Sequence, residues 1–326
     1  MTAAVEQERE QAEAERPVRV HGSGQYESAV RGVDIRAVQT QGTDSPTLVS
    51  IAAAGPIVAT SVSVGFAFTS TSVINDDVLA VSVVTAKHSR WCGQDIEAGD
   101  VVLHGPQALH TASNPQGFAV TFAIVPVEEV DPVASLLGSR IEPLKGKFVR
   151  LPPTPATRRL GLTVTGAFRA TLNSHLFAPP PLSSLPAFVA EALDAISLDL
   201  HRPGGGRISD NAVVAVCVDL AEANGRPPGI AEMLLAAHVS ERRLRTAFVQ
   251  TYGVPPTVFF RQWALDRAYR RFAGQSKQPV TVTRTAMDLG FGHLGRFAKH
   301  YHRQFGELPS ETLARSTEGG LRPALG

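Results

Sequence analysis

Cysteine is almost missing from this chain. Only Cys92 and Cys217 occur among 326 residues, far apart and without the paired spacing that a zinc site or a redox motif requires. Such usage fits a reducing cytosol. An apolar N-terminal stretch is lacking as well. MTAAVEQEREQAEAER is rich in Glu and Gln, so it is neither a signal peptide nor an anchor and reads as a disordered tail. Charge is absent from one long interval, the 31 residues between Asp44 and Asp76, a length that raises the question of a membrane span. Gly55-Pro56 interrupts that interval and Ser and Thr are frequent in it. Val62, Val64, Phe66 and Phe68 alternate there with Ser63, Gly65 and Ala67, the period of a half-buried strand. The reading is therefore β structure in a cytoplasmic protein without a membrane segment.

Net charge is small, +1, but unevenly placed. Residues 1–206 carry 15 Lys and Arg against 20 Asp and Glu, whereas residues 207–326 carry 16 against 10. An acidic module joined to a basic one points the second toward a polyanion, and nucleic acid is the usual soluble partner.

From about Arg31 to Val127, β-type runs (IVATSVSVGFAF, VLAVSVVTA, VVLHG, FAVTFAIVP) alternate with turn signals at Asn75-Asp76-Asp77, Ala98-Gly99-Asp100 and Asn114-Pro115. This spacing predicts an antiparallel sandwich or barrel. Two helical stretches follow, about Ala156–Leu172 and Ser184–His201. In the second, Ser184 is an N-cap candidate and Leu185, Phe188, Val189, Ala192, Leu193, Ile196 and Leu200 form one apolar stripe. The stripe suits packing on its own domain and pairing with a second copy equally well. Pro203-Gly204-Gly205-Gly206 then marks a linker, at the point where the charge changes sign. The expected division is a tail over 1–28, a β module with trailing helices over 29–201, a linker over 202–208, a helical domain over 209–316 and a tail over 317–326.

Beyond the linker the pattern is helical. Ser209 can cap a helix through Ala223, Gly229–Ala237 gives a short second one, and Ser240 caps a third that begins Glu241-Arg242-Arg243-Leu244. A short helix, a tight turn and a capped basic helix make a helix-turn-helix candidate. The unit recurs 53 residues later: Leu244, Phe248, Tyr252, Gly253 and Pro256 match Phe297, Tyr301, Phe305, Gly306 and Pro309. Residues four apart share a helix face, so each triplet is a buried stripe ended by a left-handed glycine. Thr257–Ala273 is long enough to join the two units, so that two recognition helices could enter successive major grooves.

The segment Ser209–Arg315 resembles the DNA-binding domain of the AraC/XylS family of transcription regulators. HVSERRLRTAFVQTYGVPP carries the resemblance in the first unit and TAMDLGFGHLGRFAKHYHRQFGELPS in the second. His238 stands where a glycine is usual, and Leu313-Ala314-Arg315 where many members end in Tyr-Arg. On the first recognition helix, Leu244, Ala247 and Phe248 turn inward, which aims Arg242, Arg245, Thr246 and Val249 outward. Arg242, Arg245 and Thr246 are candidates for base edges and Arg243 for phosphate. On the second, Phe297, Tyr301 and His300 face the core, leaving Gly295, Ala298, Lys299 and His302 outward with Arg296 and Arg303 at the flank. Gly295 permits close approach, and Arg296, Lys299 and Arg303 supply charge, so this helix is expected to clamp more than to read.

The resemblance implies a sensor or dimerisation module ahead of the DNA-binding one, often a cupin-like β-barrel. Glu97–Asn114 (EAGDVVLHGPQALHTASN) is similar to a cupin strand pair through Gly99, Pro106, His110 and Asn114. Lys87-His88-Ser89-Arg90 does not supply the His-x-His and Glu of metal-binding cupins, so His110 reads as a turn or pocket residue and no metal or other cofactor is expected. The expected fold class is α+β. The expected function is a transcription regulator and not an enzyme, with double-stranded DNA as partner, a small-molecule effector, a second copy of the chain, and RNA polymerase if it activates. A metal cupin or alkyl-acceptor enzyme is the alternative, and two isolated cysteines cannot build the acceptor's four-thiolate site.

Overall fold

Alternating side chains set the architecture of the first half. The computed structural model describes residues 17–30, 33–42, 46–168, 180–200, 209–275 and 280–319. Its strands are β1 (Val18–Val20), β2 (Val33–Gln41), β3 (Thr47–Ala54), β4 (Ile57–Ser63), β5 (Ala67–Ile74), β6 (Val78–Ala86), β7 (Ser89–Trp91), β8 (Gln94–Ile96), β9 (Val101–His104), β10 (Leu109–Asn114), β11 (Ala119–Pro126) and β12 (Phe148–Arg150). They form two antiparallel sheets, β1-β3-β4-β11-β6-β9-β12 and β2-β5-β10-β7-β8, which face each other without closing into one barrel. The uncharged interval supplies β3, β4 and β5, and no helix among the described residues is long and apolar enough to cross a membrane.

Period-two alternation sends each strand's side chains to opposite faces. On β6, Ala80 and Ser82 point between the sheets, while Leu79, Val81 and Val83 point away into a second core. That second core is closed by α2 (Val127–Leu136), α3 (Pro155–Gly166) and α4 (Leu185–Leu200), after α1 (Gly22–Ala29) has capped the space between the sheets with Tyr26. The stripe predicted on α4 settles on its own domain. Leu185, Val189 and Leu193 are fully buried against α2 and α3, and Phe188 packs at the edge under Arg159. Full burial of a Leu or Val contributes about 1.5–3 kcal/mol, so this face is committed within the chain and is not a free dimer helix. Ser184 does not cap α4. It lies in a 3-10 turn, Leu182–Ser184, and donates to the Pro181 carbonyl at 2.6 Å.

Two elements, β1 and most of α1, fall within the stretch 1–28 that was expected to be a tail. Residues 1–16 lie outside the described set, but β1 and α1 are ordered because Tyr26 and Ser23 are buried. The glycine linker over 202–208 also lies outside the described residues, as do 320–326.

The second half is helical: α5 (Asp210–Asn224), α6 (Ile230–Ala237), α7 (Glu241–Tyr252), α8 (Pro256–Arg270), α9 (Val282–Asp288), α10 (Leu294–Phe305) and α11 (Pro309–Gly319). This domain docks on the outer face of the five-stranded sheet, and Val38 of β2 enters its core. Polar groups make the fit specific. Tyr252 donates to the Ser70 carbonyl (3.2 Å) and meets the Thr71 hydroxyl at 2.6 Å. Thr111 donates to Asn211 (2.9 Å), and the Gln304 amide donates to the Gln39 carbonyl (2.7 Å). At the centre Asp266, 2% exposed, accepts from Ser23 (2.6 Å), the Gln39 N–H (3.1 Å) and Arg270 Nε (2.8 Å). The Arg270 guanidinium closes on Glu27 through two bonds of 2.7 and 2.8 Å. Burial pushes the Asp266 carboxyl up, against the pull of Arg270.

Candidate nucleic-acid interface

Backbone signals define the two units. Ser209 starts α5 by accepting the Ala212 N–H (3.2 Å), and Ser240 starts α7 by accepting the Arg243 N–H (3.3 Å). Between α6 and α7 the chain turns at His238, which holds the left-handed conformation (φ 51°, ψ 43°) that the usual glycine adopts without strain. Gly253 and Gly306 both stand at φ 75° and end α7 and α10 by donating to Val249 (3.0 Å) and His302 (2.7 Å).

The repeated stripe is the core of each unit. Leu244, Phe248 and Tyr252 are buried on α7, and Phe297, Tyr301 and Phe305 on α10. Phe248 and Tyr252 pack on Phe259 of α8 at centroid distances of 5.4 and 4.8 Å. Phe305 stacks on Tyr269 of the same helix at 4.7 Å. One helix of 15 residues, about 22 Å long at 1.5 Å per residue, therefore carries both units. At the family's departure near the C-terminus, Arg315 grips Glu307 (2.7 Å) and Thr312 accepts from Tyr301 (2.8 Å), which holds α11 on α10.

Fixing the stripes inward leaves definite outward sets. Arg242, Arg245 and Thr246 are exposed on α7, and none of the ion pairs among the described residues uses either arginine. The Thr246 hydroxyl donates back to the Arg242 carbonyl (2.9 Å), so toward a ligand it can act only as an acceptor. Arg243, the candidate for phosphate, is half-buried and paired with Asp210 at the start of α5, which ties the recognition helix to the first helix of its unit.

On α10, Gly295, Arg296, Lys299, His302 and Arg303 are exposed and Ala298 is half-buried. No side chain contacts a methyl placed on Gly295 within 4 Å, so the helix surface there is open. Arg303 Nη2 lies 2.7 Å from His300 Nδ1. His300 sits below its ordinary range, through partial burial and then through Arg261, Arg303, Lys299 and Arg296, which surround it with positive charge. The predicted residues thus fall on two faces, one on α7 with unpaired arginines and one on α10 with a concentrated positive field. Sequence reasoning missed Gln304, which docks on the sheet, and His104, which faces His110 between the sheets. The alternation in VVLHG places His104 inward, which was the available signal for it.

Residues 234–315 match the family model for a helix-turn-helix domain. The chain is similar to XylDLEGF operon transcriptional activator 2 of Pseudomonas putida, 32% identical over 123 residues, which is 37% of this chain and 77% of that protein. It is 38% identical to XylDLEGF operon transcriptional activator 1 of the same organism over 94 residues, spanning 29% of this chain and only 28% of that relative. Among solved structures, a probable AraC family transcriptional regulator from Rhodopseudomonas palustris is 34% identical, covering 32% of this chain and 96% of that one with a TM-score of 0.30. The family model spans both recognition helices, α7 and α10, and the helix α8 that joins them, and the chain belongs to the AraC/XylS family of transcription regulators.

Proposed function

We propose that this protein is a sequence-specific DNA-binding transcription regulator whose N-terminal domain responds to a small molecule. The observation that carries the reading is the pair of helix-turn-helix units on one rigid helix, each presenting an exposed basic face. In this reading Arg242 and Arg245 read base edges, since arginine can bind guanine O6 and N7 together. Thr246 contributes an acceptor, and Arg243, oriented through Asp210, meets phosphate at the flank of α7. Arg296, Lys299 and Arg303 clamp phosphates beside Gly295, where backbone can approach closely. The domain division is a DNA-binding unit over 209–316 and a β module with helices over 29–201. Since α4 packs within its own domain, a homodimer would use another surface. A surface for RNA polymerase is part of the proposal if the protein activates. Genomic footprinting with the purified full chain tests the function. Recovery of a shared sequence motif near promoters supports it, and binding that follows only DNA length and salt refutes sequence-specific regulation.

A further inference from the structure

Between the two sheets lies a cavity of ≈ 70 Å³, roofed by α1. Its walls are largely apolar and include Tyr26, Phe68, Trp91, Phe118 and Phe122. None of its described lining residues is Lys, Arg, Asp or Glu. Most of its polar atoms are already used. Asn114 Oδ1 accepts from Trp91 Nε1 (3.0 Å) and from Ser89. His104 Nε2 meets the Ser82 hydroxyl at 3.1 Å, and His110 Nδ1 meets the Ser72 hydroxyl at 3.5 Å. Two lining atoms are fully shielded from solvent and have no partner, His104 Nδ1 and His110 Nε2. The two rings stand 4.9 Å apart, edge to face, with Trp91 5.0 Å from His110 and Phe148 stacked on it at 5.8 Å.

An unmet buried nitrogen costs about 1–3 kcal/mol, and both histidines line the one aromatic cavity, so the pair indicates a ligand that answers both. The chemistry of that ligand follows from the rings. Burial pushes His110 down to about 4, and burial together with His110 holds His104 well below 6.5, so both are neutral near pH 7. A neutral imidazole offers one N–H and one lone pair, which leaves the pair able to give or take a hydrogen bond. A hydroxyl can do both at one oxygen. A carboxylate only accepts and would need a buried cation, and an ammonium would enter a wall without counter-charge.

We propose that this cavity binds a small uncharged aromatic molecule with one hydroxyl, of the phenol class, whose oxygen meets His104 Nδ1 and His110 Nε2. The proposal rests on the reading of the N-terminal domain as the small-molecule-responsive part of the regulator. A benzene-sized ring occupies a cavity of about 150 Å³, roughly twice the space present. The ring therefore needs Tyr26 to turn aside: it is carried on the eight-residue α1, outside both sheets, and meets Phe68 edge-on at 5.2 Å, while Ser23 and Glu27 keep α1 itself anchored.

The test is calorimetric titration of the full chain at pH 7.5 with phenol, benzene and benzoate. Phenol is expected to bind one to one, at least about tenfold tighter than either other probe, the worth of one good hydrogen bond. In wild-type protein the imidazole ¹⁵N signals of His104 and His110 should move on phenol addition and those of the exposed histidines stay. His110→Phe should erase the preference for phenol over benzene. Benzoate binding as tightly as phenol overturns the proposal, as does equal binding of phenol and benzene with unmoved imidazole signals. Binding of none of the three also overturns it, and the nitrogens then serve ordered water. Operator recovery is measured separately on the same preparation. Recovery without phenol binding sinks the cavity assignment alone, whereas phenol binding without recovery sustains the site and sinks the regulator reading.

Discussion

Arg270→Met removes the cation at the centre of the interdomain contact while keeping an apolar stem. Asp266 would lose its 2.8 Å partner inside the interface at 2% exposure, and Glu27 would lose two bonds. Breaking a buried ion pair by removing one member costs about 3–5 kcal/mol, mostly because the other charge stays behind unpaired. Against a total stability of about 5–15 kcal/mol, that is a large fraction. Asp266→Asn with Arg270→Met together should cost at least about 1.5 kcal/mol less than the sum of the single changes, since the fully buried Asp266 carboxylate is then gone and only the part-exposed Glu27 is left without its cation. The two tryptophans allow the assay to be local, because Trp91 lies in the five-stranded sheet and Trp263 in the helical core. Single-tryptophan variants followed through urea unfolding report each half. Both midpoints should fall in Arg270→Met and the two transitions should separate. A loss below about 1 kcal/mol with the transitions still coincident would show that the network does not join the domains.

Three further outcomes follow. His238→Gly should raise the stability of the helical domain by about 1 kcal/mol, because glycine adopts the left-handed turn without a Cβ penalty; an unchanged urea midpoint contradicts this. Acid should weaken the N-terminal domain before the carboxylates titrate. His110 falls to about 4 in the folded state, so the unfolded chain binds the extra proton and stability drops as pH falls from about 6.5, by up to about 3 kcal/mol near pH 4. His110→Phe should flatten that slope in melts read from Trp91. DNA phosphates near α10 should relieve the positive field that holds His300 below its ordinary range and raise its pKa, so operator binding should take up a proton and tighten as the pH is lowered. Affinity independent of pH from 5.5 to 7.5 would place phosphate away from α10.

Much of the second half was legible because its signals are local. Leu244, Phe248 and Tyr252 repeat as Phe297, Tyr301 and Phe305, and Gly253 and Gly306 end both helices, so spacing alone located the two units. The strands were legible through alternation, but the run IVATSVSVGFAF divides at Val64–Phe66 into β4 and β5, which belong to different sheets. No periodicity announces such a crossing. α1 was illegible because Gly22-Ser23-Gly24 carries poor helix formers; the helix is held by Tyr26 burial and by Ser23 and Glu27 reaching residues more than 240 positions away. The pairing of Arg243 was illegible because its partner, Asp210, is 33 residues distant and becomes a neighbour only when α5 packs on α7.

The central claim is a division of labour between two recognition helices, and it meets its most direct test in a randomised operator library bound by the full chain at several salt concentrations. Arg242→Ala should relax the preferred base at one or two positions in one half of the site, at a cost of about 1–3 kcal/mol. Lys299→Ala should weaken selected and random DNA alike and reduce the salt slope by about one. If Lys299→Ala instead changes the preferred bases while Arg242→Ala weakens every sequence equally, α10 is the reader and α7 the clamp, and the assignment is reversed.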